Sequence, residues 1–307
     1  MNDSASRLPM VVIANRASGT HGGPNGRTRI EAALRGAHLD ARVSIVDGES
    51  LRDVAGQALR DGARTVVAAG GDGTLNAVAS VLAGSTAVFG VLPLGTLNHF
   101  ARDLGIPAAL DEAAAVLAGG TTQRIDAGEV NGRLFLNNAS LGLYPEIVRL
   151  RERERARLGI GKLPALAMAT VRALRRHHAL DVRVDADGEQ LSVRTPFAFV
   201  GNNAYELEGF AAGARASLRE GVLSLYTARD EGRLGLLRLM LRALTGHLHE
   251  AAAFTSLAAT RLVIHTQRRH VAVAIDGEVE HFTPPLQYRS RPGALHVLVP
   301  AARFGGD

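Results

Sequence analysis

The chain has 307 residues, 46% of them hydrophobic, enough to bury a substantial core and, by size, to form two domains. It contains no cysteine, which excludes disulfides and thiolate metal sites. The formal charge is +5 and the basic residues are arginines apart from Lys162, which is followed by Leu163; a Walker A loop with its Gly-Lys-Ser/Thr is thereby excluded, as is a protein kinase with a Val-Ala-Ile-Lys strand.

In chain order, Pro9 to Ala14 reads as a first strand and runs into Asn15-Arg16-Ala17-Ser18-Gly19 and a glycine-rich loop. A helix is predicted over Arg27 to Leu34, a second strand over Arg42 to Val46, and a second helix over Leu51 to Leu59. Thr65 to Ala69 is short, apolar and rich in β-branched residues, as a buried parallel strand requires. It ends in Gly70-Gly71-Asp72-Gly73-Thr74-Leu75-Asn76, after which Leu75, Val78, Ala79 and Leu82 recur at helical spacing. Val88 to Leu92 is a fourth strand, followed by Pro93-Leu94-Gly95-Thr96-Leu97-Asn98. Short helices are then predicted over His99 to Leu104 and Leu110 to Leu117. Strands alternating with helices predict a doubly wound parallel sheet over residues 1–125, with ligands at the carboxyl ends of its strands.

From about Ile125 the pattern changes. Strands are predicted over Arg124 to Val130, Arg133 to Asn137, Asp181 to Val184, Gln190 to Arg194, Phe197 to Gly201, Val222 to Tyr226, Arg261 to His265, Val271 to Ile275 and Leu295 to Val299. Helices interrupt them at Pro145 to Ala156, Leu163 to Arg176 and Gly232 to Leu244. Residues 126–300 therefore read as a mainly antiparallel β-sandwich domain, and 301–307 as a tail. The uncharged stretch from Gly73 to Asn98 is broken by Gly84, Gly90, Pro93 and Gly95, so it reads as helix, turn and strand rather than a membrane span. With no signal architecture at the N-terminus, a cytoplasmic protein is expected.

A strand, a glycine turn and a helix make a phosphate cradle: glycines let the backbone approach a ligand, and the helix N-terminus offers unpaired N–H groups. A carboxylate at Asp72 repels a phosphate unless Mg²⁺ lies between them. A plain strand-to-helix turn capped by Asp72 reads equally from the same residues. Asp-Gly-Glu occurs twice, at Asp187-Gly188-Glu189 and Asp276-Gly277-Glu278. Each lies between alternating segments, and Asp-Gly is a hairpin signal, so local physics does not separate the copies. The apolar helix from Leu234 to Leu248, with Arg238 and Arg242, reads first as the cover of a core face and second as an interfacial membrane contact. Few aromatics and no tryptophan argue against nucleic acid as a partner.

These motifs together resemble the diacylglycerol kinase catalytic-domain family, which includes bacterial lipid kinases and sphingosine kinases. The likeness rests on Asn15-x-x-Ser18-Gly19, the Gly70 turn, Pro93-x-Gly95-Thr96-x-Asn98, Phe135 to Gly142, Phe199 to Asn203 and the second Asp-Gly-Glu, in that order along nearly the whole chain. Arg16 stands where that family has proline, His99 where aspartate is common, and Glu220 where aspartate is common. The resemblance implies an ATP-dependent lipid kinase, transferring the γ-phosphoryl group to the hydroxyl of a lipid such as diacylglycerol. It implies ATP and Mg²⁺ as cofactors and peripheral contact with the inner face of the membrane; homo-oligomer formation is left open. The nucleotide-binding set it implies is Asn15, Ser18, Gly19, Ser44, Gly70, Gly71, Asp72, Gly73, Thr74, Leu75, Asn76, Gly95, Thr96 and Asn98. The catalytic set is Glu278 as base, Asp276 and Asp72, and a structural Mg²⁺ would be held by Glu220 with Ser217 and Val222. The alternatives are an NAD kinase-like small-molecule kinase, which should carry a Thr-Gly-Ser-Thr-Ala-Tyr-type segment absent here, and a non-catalytic lipid-binding regulatory relative.

Overall fold

The computed structural model describes residues 10–18, 25–159, 161–176, 179–206, 214–215, 217–244 and 254–301. The chain divides into two compact units, one running to Asp126 and resuming at Gly293, the other formed by Ala127–Pro292.

The first unit alternates strand and helix: β1 (Met10–Asn15), α1 (Gly26–Gly36), β2 (Ala41–Val46), α2 (Leu51–Arg60), β3 (Thr65–Gly70), α3 (Asp72–Leu82), β4 (Val88–Pro93), α4 (His99–Asp103) and α5 (Leu110–Gly119). The strands lie in the order β2-β1-β3-β4, all parallel. Val12, Ile13, Val66, Val67, Ala68, Ala69, Phe89 and Leu92 are fully buried, which explains why these strands are continuous apolar runs rather than alternating ones. The chain moves outward from β1 to β2 and then returns to the other side of β1 as β3. The topological switch point therefore falls between β1 and β3, where ligands of such sheets bind.

The second unit begins within β5 (Thr121–Val130) and continues through β6 (Arg133–Phe135), β7 (Asn138–Gly142), α6 (Leu143–Leu158), α7 (Lys162–Arg176), β8 (Leu180–Ala186), β9 (Glu189–Thr195), β10 (Phe197–Asn202), β11 (Leu223–Ala228), α8 (Gly232–Leu244), β12 (Phe254–Ala259), β13 (Arg261–Thr266), β14 (Val271–Ile275), β15 (Glu278–Phe282) and most of β16 (Leu286–Val299). One antiparallel sheet has the order β12-β11-β10-β7-β14-β15. A second set pairs β16 with β13, β13 with β8 and β8 with β9. Leu141, Val200, Leu225 and Val273 of the first sheet join Val182, Val184, Ile264 and Leu286 of the second in one core, a β-sandwich. Alternation does the sorting: along β8, Leu180, Val182, Val184 and Ala186 are buried while Asp181 and Arg183 face water.

Several elements differ from the sequence expectation. The strand expected to reach Asn137 stops at Phe135, and a separate β7 follows. β12, β15 and the first part of β16 were not anticipated. β15 is the charged edge sequence Glu-Val-Glu-His-Phe, whose composition hides a strand. β16 contains Pro292 and Gly293, which read as a break. They fall between the residues that pair with β13 and those that pair in parallel with β4. The segment from Gly293, placed by sequence in the second domain, belongs with the first unit. The expected tail is outside the described residues beyond Ala301, as are Gly19 and residues 245–248 of the apolar helix.

Candidate active site

In the first unit, the turns after β1, β3 and β4 are tied together. Asn15 ends β1; its Oδ1 accepts the Ala17 N–H (3.0 Å) and its Nδ2 donates to Thr74 Oγ1 (3.3 Å) on α3. Ser18 is buried and its N–H bonds the Asn15 carbonyl (3.0 Å). The β3 and β4 turns touch backbone to backbone. A Cβ on Gly95 would lie 2.5 Å from the Gly71 Cα, so glycine alone fits at residue 95. Asn98, in the left-handed region at φ 49°, closes the β4 turn from inside. Its Oδ1 accepts the Gly95 N–H (3.0 Å) and its Nδ2 donates to the Gly95 carbonyl (2.9 Å).

Asp72 has a role that the sequence did not reveal. Its carboxylate accepts the backbone N–H groups of His99 (3.2 Å) and Phe100 (3.1 Å), capping α4, a helix with no side-chain cap of its own. The expected cap therefore exists, but on the helix of the next turn. Those two N–H groups also compensate the charge that made an aspartate beside a phosphate seem to demand a metal. The first amides of α3, behind Gly71, remain directed at the same place, since a helix leaves its initial N–H groups without intrahelical partners.

Of the other nucleotide candidates, Thr96 is exposed at the tip of the β4 turn, and Gly70, Gly71 and Gly73 line the β3 turn. Leu75 is different: its side chain is fully buried and its N–H bonds the Gly71 carbonyl (3.0 Å), so it serves α3 rather than a ligand. Asn76 is buried and receives the Ser80 hydroxyl on its carbonyl (2.7 Å). Ser44 lies in β2 opposite Ile13, two residues inside the strand's carboxyl end.

In the second unit, Asp276 and Gly277 both have positive φ (46° and 89°) and turn β14 into β15, as a two-residue hairpin loop requires. The Asp276 carboxylate gathers three backbone amides, those of Leu136 (2.8 Å), Asn137 (2.8 Å) and Asn138 (3.0 Å), while its own N–H donates to the Asn138 carbonyl (2.9 Å). The carbonyl side of the same peptide is held by a residue that sequence reasoning missed. Arg215, only 2% exposed, donates to the Leu136 carbonyl (2.7 Å), the Asn202 carbonyl (3.1 Å) and Asn137 Oδ1 (2.9 Å). Asn202 Nδ2 reaches the Leu136 carbonyl (2.9 Å) and the Tyr205 hydroxyl reaches that of Asn137 (3.0 Å). The Leu136–Asn138 peptide is thus clamped on both edges, with the Asp276 carboxylate spent on one of them. Glu278, two residues on, is exposed.

Asp187 and Gly188 form the same turn, with φ of 49° and 94°, between β8 and β9. Asp187 accepts the amides of Thr260 (2.7 Å) and Arg261 (2.9 Å), and its N–H donates to the Arg261 carbonyl (3.1 Å). The Thr260 amide bond in particular holds its carboxyl below the usual carboxylate value. Asp187, Thr260 and Arg261 are all exposed.

The Ser217–Val222 loop is organised by Asn203, whose N–H donates to the Val222 carbonyl (3.0 Å) and whose Oδ1 accepts the Glu220 N–H (3.2 Å). Ser217 Oγ accepts the Arg219 N–H (3.1 Å), and the Glu220 carboxylate is exposed. These are all oxygen donors, the chemistry that suits Mg²⁺. Among the described residues no three His, Cys, Asp or Glu side chains cluster as a metal site.

Two family models cover most of the chain: the diacylglycerol kinase catalytic domain matches residues 9–130, and the YegS C-terminal NAD kinase beta sandwich-like domain matches residues 148–299. A Pseudomonas aeruginosa protein named "Probable lipid kinase YegS-like" is 33% identical over 301 residues, spanning 92% of this chain and 93% of its own. The chain belongs to the diacylglycerol kinase catalytic-domain family. A protein of the same name from Pseudomonas syringae pv. syringae is 30% identical, over 87% of this chain and 86% of its own. A crystal structure of a diacylglycerol kinase from Bacillus anthracis str. Sterne superposes with a TM-score of 0.69 at 18% identity, covering 96% of this chain and 97% of that one. A further solved chain from that organism reaches 0.76 at 22% identity, covering 96% and 98%; both establish the shared fold. For this member of the diacylglycerol kinase family, the doubly wound first unit and the antiparallel sandwich of the second are as the sequence predicts.

Proposed function

We propose that the chain is an ATP-dependent lipid kinase that transfers the γ-phosphoryl group of ATP to a hydroxyl of a lipid of the diacylglycerol type. The observation that carries the nucleotide half is the junction of Gly71 and Gly95 at the carboxyl ends of β3 and β4, braced by Asp72 and beside the switch point of the sheet. That junction holds in place the N-terminus of α3, whose first amides have no intrahelical partners; such N–H groups suit phosphate binding and stabilise charge in phosphoryl transfer without reorganisation. Mg²⁺, bound with the nucleotide, would neutralise charge on the phosphate oxygens. Asn15, Thr74, Thr96 and Asn98 supply the polar groups around the same turns.

The acceptor half is assigned to the second Asp-Gly-Glu turn. A lipid hydroxyl is a poor nucleophile at neutral pH and needs a base. Both oxygens of Asp276 are engaged by backbone amides, which suits a positioning role, and the exposed Glu278 is the group left to take the proton. The hydroxyl oxygen forms the bond to the γ-phosphorus, the bond from that phosphorus to the β–γ bridging oxygen breaks, ADP leaves, and the proton goes to Glu278. The lipid acceptor implies contact with a membrane surface; among the described residues no helix is long and apolar enough to cross one. Ser217, Glu220 and Val222 are proposed to hold a structural Mg²⁺. It should raise the melting temperature of the wild type but not of Glu220→Gln, and equal shifts would remove the site.

The test of the reading is ATP turnover against a panel of dispersed lipid alcohols, with NAD as a further acceptor because the second family model describes an NAD kinase-like sandwich. Turnover with a lipid alcohol, reduced at least about 10²-fold in a folded Asp72→Asn variant, is expected. Turnover with NAD alone, or none with any acceptor, would contradict the reading.

A further inference from the structure

Two helices of the second unit are turned inside out relative to ordinary globular packing. The α7 helix faces its neighbour α6 with Ala165, Ala169 and Ala173, all fully buried, and is tied to it by an ion pair between Arg172 and the buried Glu154. Two of its large apolar side chains point the other way. Met168 is 37% exposed and Val171 50%, and with Pro164 and Arg175 they share the face opposite the alanines by helical geometry. The α8 helix, which touches α7, also exposes large apolar side chains. It buries Gly235 and Leu236 but exposes Leu234 (70%) and Leu237 (47%), bracketed by the exposed Arg233 and Arg238. The expectation that this helix covers a core face is therefore met by only one side of it.

Charge on these helices is as one-sided as burial. Every charged residue of α7 and α8 is basic, and neither helix contains an aspartate or glutamate, although the chain as a whole has 30 acidic residues against 35 basic ones. A protein partner would find complementary carboxylates or apolar pockets one by one. A bilayer rich in anionic lipid offers both features at once, a dense negative headgroup layer and an apolar interior a few ångströms beneath it. In α7, small residues against the protein and large apolar residues with arginine against water are the inverse of what solubility favours, and α8 adds two exposed leucines beside arginines.

We propose that the outer faces of α7 and α8 form the membrane-docking surface of this chain, inserting Met168, Val171, Leu234 and Leu237 among the acyl chains of an anionic leaflet while Arg175, Arg233 and Arg238 meet the headgroups. This names the surface through which the kinase proposed above reaches a lipid acceptor, and it rests on that reading only for its purpose, not for its binding.

Cosedimentation with vesicles of phosphatidylcholine and of phosphatidylcholine mixed equally with phosphatidylglycerol, without ATP or acceptor, measures docking alone. The wild type is expected to bind the anionic vesicles at least tenfold more tightly than the neutral ones, and to be released by salt. Met168→Ser/Val171→Ser/Leu234→Ser/Leu237→Ser and, separately, Arg233→Gln/Arg238→Gln should each lower that binding at least tenfold. Both should keep wild-type turnover on a monomeric short-chain acceptor and lose it on vesicle-borne acceptor. Wild-type binding by both folded variants would overturn the proposal. So would a wild type that elutes as a dimer and is split by the serine variant, which would make the face a contact between copies. Vesicle binding without turnover of any lipid would overturn the kinase reading and leave the docking surface standing.

Discussion

Asp-Gly-Glu occurs twice in this chain and folds the same way twice. In each copy Asp and Gly take positive φ and reverse a hairpin, and the Asp exchanges hydrogen bonds with the residues that lead into a neighbouring antiparallel strand, Thr260 and Arg261 in one case and Asn137 and Asn138 in the other. The difference lies in what is grasped. Asp187 holds exposed amides that water would otherwise satisfy. Asp276 holds amides of the buried Leu136 and Asn137, whose carbonyls are taken by Arg215, Asn202 and Tyr205. Three residues specify the turn, and the tertiary setting decides whether the turn is an ornament of the surface or the keystone of a polar cluster.

The largest effect that should separate the copies is on stability. Asp276→Ala strands three amides, two of them on buried residues, and should cost about 3 kcal/mol in chemical denaturation. Asp187→Ala exposes its amides to solvent and should cost less than about 1 kcal/mol. Equal losses would mean that the burial difference has no energetic consequence. Arg215→Met should approach the larger figure, since it removes the buried guanidinium shared by the Leu136 carbonyl, the Asn202 carbonyl and Asn137 Oδ1, and its loss should be far from additive with that of Asp276→Ala.

A smaller contrast is expected with pH. The Asp187 carboxyl is held below its usual value in the folded state, so its contribution is fully present above the unfolded-state value of 3.8 and is lost as pH falls through the lower folded value. The stability difference between wild type and Asp187→Asn should therefore shrink below pH 3.8. A difference that instead grew on acidification would reverse the assignment.

The same contrast explains what could be read from the sequence. The strands of the first unit were legible because burial on both faces makes Thr65 to Ala69 and Val88 to Leu92 continuous apolar runs, and their turns were legible because Gly95 has no substitute where its backbone meets that of Gly71. The edge strand Glu278–Phe282 was not legible, since water accepts its charged face, and neither was β16, where Pro292 sits between two pairing partners. Asp72 was recognised as important, but its bond to α4 spans turns far apart in sequence. Arg215 gave no signal at all: the carbonyls that bury it come from Leu136 and Asn202, and nothing around residue 215 in the sequence anticipates them.

The central claim, that the second turn serves phosphoryl transfer and the first does not, is tested most directly by matched changes at the two glutamates. Glu278→Gln and Glu189→Gln each preserve shape and remove a carboxylate exposed at a hairpin. With transfer of the γ-phosphoryl group to a dispersed diacylglycerol followed under saturating ATP, Glu278→Gln should lower kcat by about 10²–10⁴-fold while nucleotide binding persists. Glu189→Gln should match the wild type. Equal losses from the two substitutions, or none from either, would contradict the account.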